Sequence, residues 1–238
     1  MAAIALAAAA GAGAIGVARW SNQQTPAPAA RAPADRPALA LLTSLPLMFG
    51  ESFAIDSGGS PALSRLEQRY NIQPIGVADA ASLAGQRLLL MAHARAQPAE
   101  ALADLDAWVR SGGRLVLLAD PRLDWESARP LGDRLRPPPD FADTNLLGHW
   151  GLALSGPKAI GPASAGNGDI VIQASSPGVL ESRGGCRIAG GGFVARCRIG
   201  KGAAIVIADA DFLNVGPDEE ATPNLDLLLA ELDRAESF

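Results

Sequence analysis

The 238-residue chain has two cysteines, two histidines and one tyrosine, and only 5% of its residues are aromatic. It has no basic stripe: 20 Lys and Arg stand against 25 Asp and Glu, a formal net charge of −5. A protein that tracks phosphate backbones needs concentrated positive charge, so nucleic acid is not an expected partner. The marks of nucleophilic chemistry are missing too, since no G-x-S-x-G or G-x-C-x-G elbow occurs. The glycine run Gly190-Gly191-Gly192 precedes a strand pattern, not a helix, and so presents no helix N-terminus to a phosphate. A nucleotide or dinucleotide cofactor is therefore not expected, and no internal repeat is visible.

What the chain does have is apolar material: 48% of its residues are hydrophobic and 19% charged, enough for one good core. Met1 to Ala18 carries no charge, and ten of those eighteen residues are Ala and three are Gly. The run is long enough to cross a bilayer as a helix, and its recurring small residues suit a cleavable export signal nearly as well. No basic residue precedes it, and Arg19 follows it, against the positive-inside tendency for that orientation. A buried Ala-rich helix is the plain alternative, opposed by the lack of any polar face. From Ser21 to Pro37 large apolar residues vanish while Pro26, Pro28, Pro33 and Pro37 alternate with Ala, which reads as an extended linker. The expected organisation is an anchor or signal segment over 1–20, a Pro/Ala-rich linker over 21–37 and a single α/β domain over 38–238.

Within that domain, Ala38 to Thr43 reads as a buried strand. Ser60-Pro61 reads as the cap and first turn of a helix with Leu63, Leu66 and Tyr70 on its inner stripe. Ile72 to Val77 reads as an edge strand because Pro74 interrupts it, and Arg87 to His93 as a continuous apolar strand covered on both faces. Pro98 opens a helix with Leu102, Leu105, Trp108 and Val109 inward, and Gly112-Gly113 ends it. Arg114 to Asp120 is a fourth strand, Leu123 to Asp140 a surface loop, and Thr144 the cap of a short helix ending near Trp150. Asp169 to Gln173, Gly185 to Ile188, Phe193 to Ile199 and Ala203 to Ala208 read as further strands, followed by a helix from Thr222-Pro223 with Leu225, Leu228, Leu229 and Leu232 inward. Strands and helices alternating this way imply a mostly parallel sheet with an antiparallel extension.

Ten residues separate Cys186 from Cys197. A two-residue turn at Gly191-Gly192 sets them directly opposite, with Ile188 and Phe193 on their face and Arg187 and Arg196 on the other. Opposed strand residues lie within reach of a disulfide, although such a pair would have the wider, hydrogen-bonded spacing. A metal site on them lacks further ligands nearby. Ligand-binding residues of parallel sheets gather where strands end. Ser44, His93, Asp120, Asp209 and Asp211 occupy such positions and form the candidate edge. Acids converging there could hold a divalent metal or act as acid and base; the plainer reading is that they cap loops.

The segments Leu41-Leu42-Thr43-Ser44-Leu45-Pro46-Leu47, Leu88 to Arg95, Leu147-Gly148-His149-Trp150-Gly151-Leu152 and Ala208 to Leu213 fall in order along the chain. The run from Ala107-Trp108-Val109 through Gly112-Gly113 to Asp120-Pro121 carries most weight. With these phrases the chain resembles the extracytoplasmic auxiliary components of ABC-type transport systems, the gliding-motility-associated type, mainly from Pro37 to Ile160. The resemblance implies a flavodoxin-like three-layer sandwich similar to class I glutamine amidotransferases without their catalytic Cys and His. In that fold a nucleophile elbow would follow the strand that ends at Asp120, where Asp120-Pro121 stands instead. It further implies a non-catalytic domain on the periplasmic side of the inner membrane, with ABC permease and ATPase subunits as partners. Such proteins keep membrane helices at one or both ends, and the charged tail here leaves the N-terminal one. The rival expectation is a metal-dependent hydrolase built on the strand-end acids. An open cluster of carboxylates would favour the hydrolase, and capping carboxylates the accessory domain.

Overall fold

The computed structural model describes residues 28–49, 59–142, 144–167, 170–216 and 223–238. The apolar segment expected at 1–20 and the first part of the linker lie outside the described residues, as does Thr222. Among the described residues no helix is long and apolar enough to cross a membrane. Where the linker is described, it is docked on the domain. The Arg31 amide bonds the Gln68 carbonyl, its guanidinium bonds Asp233 and Glu236, and it lies 5.0 Å from the Tyr70 ring centroid.

Strand β1 is Ala38–Thr43, with Leu39 to Leu42 buried. Helix α1, Pro61–Glu67, starts at Ser60, whose hydroxyl accepts from the Leu63 amide, and turns Ala62, Leu63 and Leu66 inward. Strand β2 is short, Asn71–Pro74, and lies at the edge of the sheet, where a residue without an N–H is tolerated. The four-residue helix α2, Ala80–Leu83, held by Asp79 accepting from the Ser82 amide, was not foreseen. Strand β3 is Leu88–Ala92, buried throughout. Helix α3, Ala99–Ser111, ends at Gly112, whose φ of 131° suits glycine, and strand β4 is Arg114–Leu118. Helix α4, Leu146–His149, begins after Asn145 rather than at a Thr144 cap.

The rest of the chain is mostly β: β5 (Leu152–Ser155), β6 (Pro162–Asn167), β7 (Ile170–Ser175), β8 (Val179–Ser182), β9 (Cys186–Ala189), β10 (Val194–Ile199) and β11 (Gly202–Ile207), before helix α5, Pro223–Glu236. Strands β5 and β8 pair antiparallel, as do β6 and β7, each forming a separate two-stranded sheet. The remaining seven form one sheet in the order β2-β1-β3-β4-β11-β10-β9. Its first five strands are parallel, and β10 and β9 extend it antiparallel.

The central strands are apolar on both sides because both sides are covered. Leu88, Leu90 and Ala92 join one cluster with Leu63 and Leu66 of α1 and Leu225, Leu228, Leu229 and Leu232 of α5. Leu89 and Met91 join the other with Leu105 and Val109 of α3. At Gly202 the helix and sheet approach so closely that a Cβ would lie 2.0 Å from the Val109 carbonyl oxygen. No side chain fits there.

Cys186 and Cys197 are partners in the β9–β10 ladder and form a disulfide, with Cα atoms 4.2 Å apart. That is the narrow spacing of a non-hydrogen-bonded pair, not the wide spacing expected. A single 3-10 turn over Gly190–Gly192 makes the reversal longer than two residues while preserving the register. Leaving the strand alternation, Phe193 packs in the cluster opposite the cysteines, whereas Ile188 stays with them.

Candidate functional site

Because the five parallel strands run the same way, their carboxyl ends share one edge, and the predicted site residues all lie on it. His93 follows β3 with φ at 48°, in the left-handed region that side chains rarely adopt. Such strain marks positions held by their surroundings. It falls after β3, and neither Asp120 nor Pro121 shares that conformation. The His93 ring is fully buried. Its Nε2 lies 2.9 Å from the Pro138 carbonyl oxygen, an atom that can only accept, so Nε2 carries the proton. Nδ1 has no hydrogen-bond partner among the described residues. Burial holds the imidazole below its ordinary pKa, against the pull of the Pro138 carbonyl and the Asp120 and Asp140 charges. Ser44 does not address this ring: its hydroxyl donates to the His93 main-chain carbonyl at 2.5 Å. With Thr43 donating to the Ala92 carbonyl at 2.9 Å, the ends of β1 and β3 are stitched together.

The acids are buried and engaged by main-chain amides. Asp120 accepts from the Arg122 amide through Oδ1 and the Ala210 amide through Oδ2, each at 2.8 Å. Asp209 accepts from the Phe212 amide at 2.9 Å, and Asp211 from the Asp124 amide at 2.7 Å. The other Asp209 oxygen is enclosed without a partner of hydrogen-bonding geometry, although the nearby Ser175 amide favours its charged form. Burial raises the pKa of Asp120, partly offset by its two amides and by His93. Burial also lifts Asp209 well above the ordinary range, with the Asp120 charge adding to the effect. Asp211 is pushed up to about 7, by burial first and then by the charges of Asp120 and Asp124.

Asp124 escaped the sequence reading. Its Oδ2 accepts from the Ser175 and Ser176 hydroxyls at 2.8 and 2.5 Å, and Arg122 lies 3.2 Å from Oδ1. Burial opposes its ionisation, but these hydroxyls and Arg122 hold its pKa low. Asp124 lies 51 and 52 residues from those serines, and no local pattern announces such a pairing.

The segment over 121–142 folds back across the edge. Leu123 bonds the Pro139 carbonyl at 2.8 Å, Phe141 bonds the Asp120 carbonyl at 2.7 Å, and Pro138 holds His93. His93, Asp120 and Asp209 are thereby shut from solvent. Beside them a groove of about 540 Å³ is lined by Asp124, Asp211, Gln173, Ser175, Asn214 and Asn224, among others. Among the described residues no group of three His, Cys, Asp or Glu side chains could hold a metal ion.

No protein-family model matches the chain, and a search of curated proteins finds no match. Solved structures do resemble it. A cytoplasmic protein of Salmonella typhimurium is 10% identical, with a TM-score of 0.52 over 83% of this chain and 98% of that one. An exo-β-1,4-mannosidase from an Opitutaceae bacterium is 16% identical, with a TM-score of 0.50 over 83% of this chain. The chain spans only 36% of that enzyme's length. A ThuA-like protein of Bacteroides uniformis is 11% identical, with a TM-score of 0.46 over 87% of this chain and 93% of that one. At such identities the first two likenesses show a shared fold and nothing of activity.

Proposed function

We propose that the chain is a non-catalytic accessory domain of an ABC-type transport system, held on the extracytoplasmic side of the inner membrane beside permease and ATPase subunits. Its fold is a flavodoxin-like, glutamine-amidotransferase-like three-layer sandwich that lacks the nucleophile. The observation that carries this reading is how the strand-end acids are used. Asp120, Asp209 and Asp211 each accept main-chain amides and are almost wholly buried, whereas a hydrolytic centre needs carboxylates that reach substrate and water. The ordered sequence phrases supply the transport context. The Cys186–Cys197 disulfide suits an oxidising compartment.

Co-expression with an ABC permease and ATPase from the same genome tests the assignment. The full chain is expected to co-purify with the permease and to change the ATPase rate of the complex. It is expected to show no glutaminase or esterase turnover, with or without added magnesium or manganese. Turnover that vanishes in Asp120→Asn or His93→Ala, with the fold intact, would instead establish the metal-dependent hydrolase.

A further inference from the structure

On the side of β9 and β10 away from the disulfide, four arginines converge on one groove. Arg187 and Arg196 are direct cross-strand partners, and Arg198 lies two residues along β10 on the same face. Arg234 of α5 completes the set, and the groove of about 460 Å³ that they line also includes Gly185, Ser237 and Phe238. One acidic side chain answers them. Glu231, 1% exposed, takes both Arg196 nitrogens in a two-pronged pair and lies 3.5 Å from Arg234. Arg187 and Arg198 are exposed and have no acidic partner among the described residues, and Arg198 sits 5.9 Å from the Phe238 ring centroid. Four positive side chains against the buried Glu231 and the Phe238 carboxylate leave an excess of two in a protein whose net charge is −5.

Glu231 accounts for Arg196, whereas Arg187 directly across the ladder and Arg198 beside it are given no acidic partner by the packing of the described residues. A guanidinium fork is the side chain best shaped to take carboxylates two-pronged. Strand β9 also ends the sheet order, so its outer backbone side pairs with no strand among the described residues. An extended segment laid along it would carry alternate side chains toward Arg187 and Arg198. We infer that this groove docks an extended acidic segment of a partner protein, whose Asp or Glu carboxylates pair with Arg187, Arg198 and Arg234. The inference is independent of the transport assignment, since it holds whatever assembly the chain serves.

The test uses the full chain and a fluorescein-labelled octaglutamate peptide, titrated by anisotropy at 0.15 M salt. Binding is expected to weaken at least tenfold in Arg187→Glu/Arg198→Glu. It should persist in Arg87→Glu/Lys158→Glu, which makes the same change of charge on exposed residues outside the groove. Arg187→Gln alone should weaken binding of the peptide by a smaller factor. The inference is overturned by an absence of binding, by equal loss in both double variants, or by unchanged affinity in Arg187→Gln. Complete displacement of the peptide by 10 mM inorganic phosphate (a concentration of roughly this order) also overturns it, since the groove would then take a small oxyanion.

Discussion

Replacing Asp211 by Asn tests the electrostatics of the buried edge. Its side chain is 8% exposed and accepts the Asp124 amide, and its pKa is pushed up to about 7. An unfolded carboxyl titrates near 3.9, so between about 4 and 7 the folded protein keeps a proton that the unfolded chain releases. The stability from this group is therefore fully present below about pH 4 and is lost as pH rises through about 7. The difference between the two values corresponds to about 4 kcal/mol. Solvent screening from the adjoining groove brings the expected loss to about 2 kcal/mol. Asp120 and Asp209, also raised, act in the same direction, whereas Asp124, Asp106 and Asp79, held low, act against it mainly at more acid pH. Asn keeps an oxygen for the Asp124 amide and cannot ionise. Urea unfolding should therefore find Asp211→Asn close to the parent at pH 4 and about 2 kcal/mol more stable than it at pH 7.5. Parallel stability profiles for the two proteins over that interval would refute the raised pKa.

The remaining expectations are simpler to state. The Cys186–Cys197 bond joins residues 11 apart, so its reduction should lower stability by about 3 kcal/mol on the chain-entropy account; native, unreduced protein should resist thiol alkylation, and full labelling would remove the compartment argument. A chain beginning at Ala38 should fold to a circular dichroism spectrum like that of one beginning at Pro28. It should melt several degrees lower, because it lacks the Arg31 bonds to Asp233 and Glu236, worth about 1 kcal/mol; equal melting would make that docking inconsequential.

Local signals explain which parts of the fold were legible. Strand β1 appears with its expected bounds, α3 starts and stops at its Pro and Gly punctuation, and the β9–β10 register follows from counting across the turn. Helix α2 is only four residues long, too short for an apolar period to emerge. Strands β5, β6 and β8 were missed because Leu-Ala-Leu-Ser, Pro-Ala-Ser-Ala-Gly-Asn and Val-Leu-Glu-Ser are short and carry little or weak alternation; they pair outside the main sheet. At the site, strand-end placement identified His93, Asp120, Asp209 and Asp211. It did not reveal that 121–142 covers them or that Asp124 bonds two serines of a distant hairpin, since both depend on contacts between remote segments.

Asp120 and Asp209 give the sharpest separation between capping and chemistry. The chain reverses after β4 and again after β11, and each reversal leaves amides that need acceptors in a place water does not reach. Both oxygens of Asp120 meet that need, one at Arg122 and one at Ala210. Asn offers one oxygen, so Asp120→Asn points an NH2 group at an amide N–H and leaves a buried donor unmet, at a cost of about 1–3 kcal/mol. Asp209 spends one oxygen on Phe212, while its fully buried carboxyl is already held toward the neutral form. Asn there preserves that bond and removes a charge that Asp120 repels, which offsets part of the cost of turning its NH2 toward the Ser175 amide, so Asp209→Asn should cost about 1 kcal/mol less than Asp120→Asn. A hydrolytic pair would show the same loss of turnover in both variants and no such difference in stability. Urea unfolding at pH 7.5 reads the contrast directly, and a loss at Asp209→Asn as large as that at Asp120→Asn would refute the capping account.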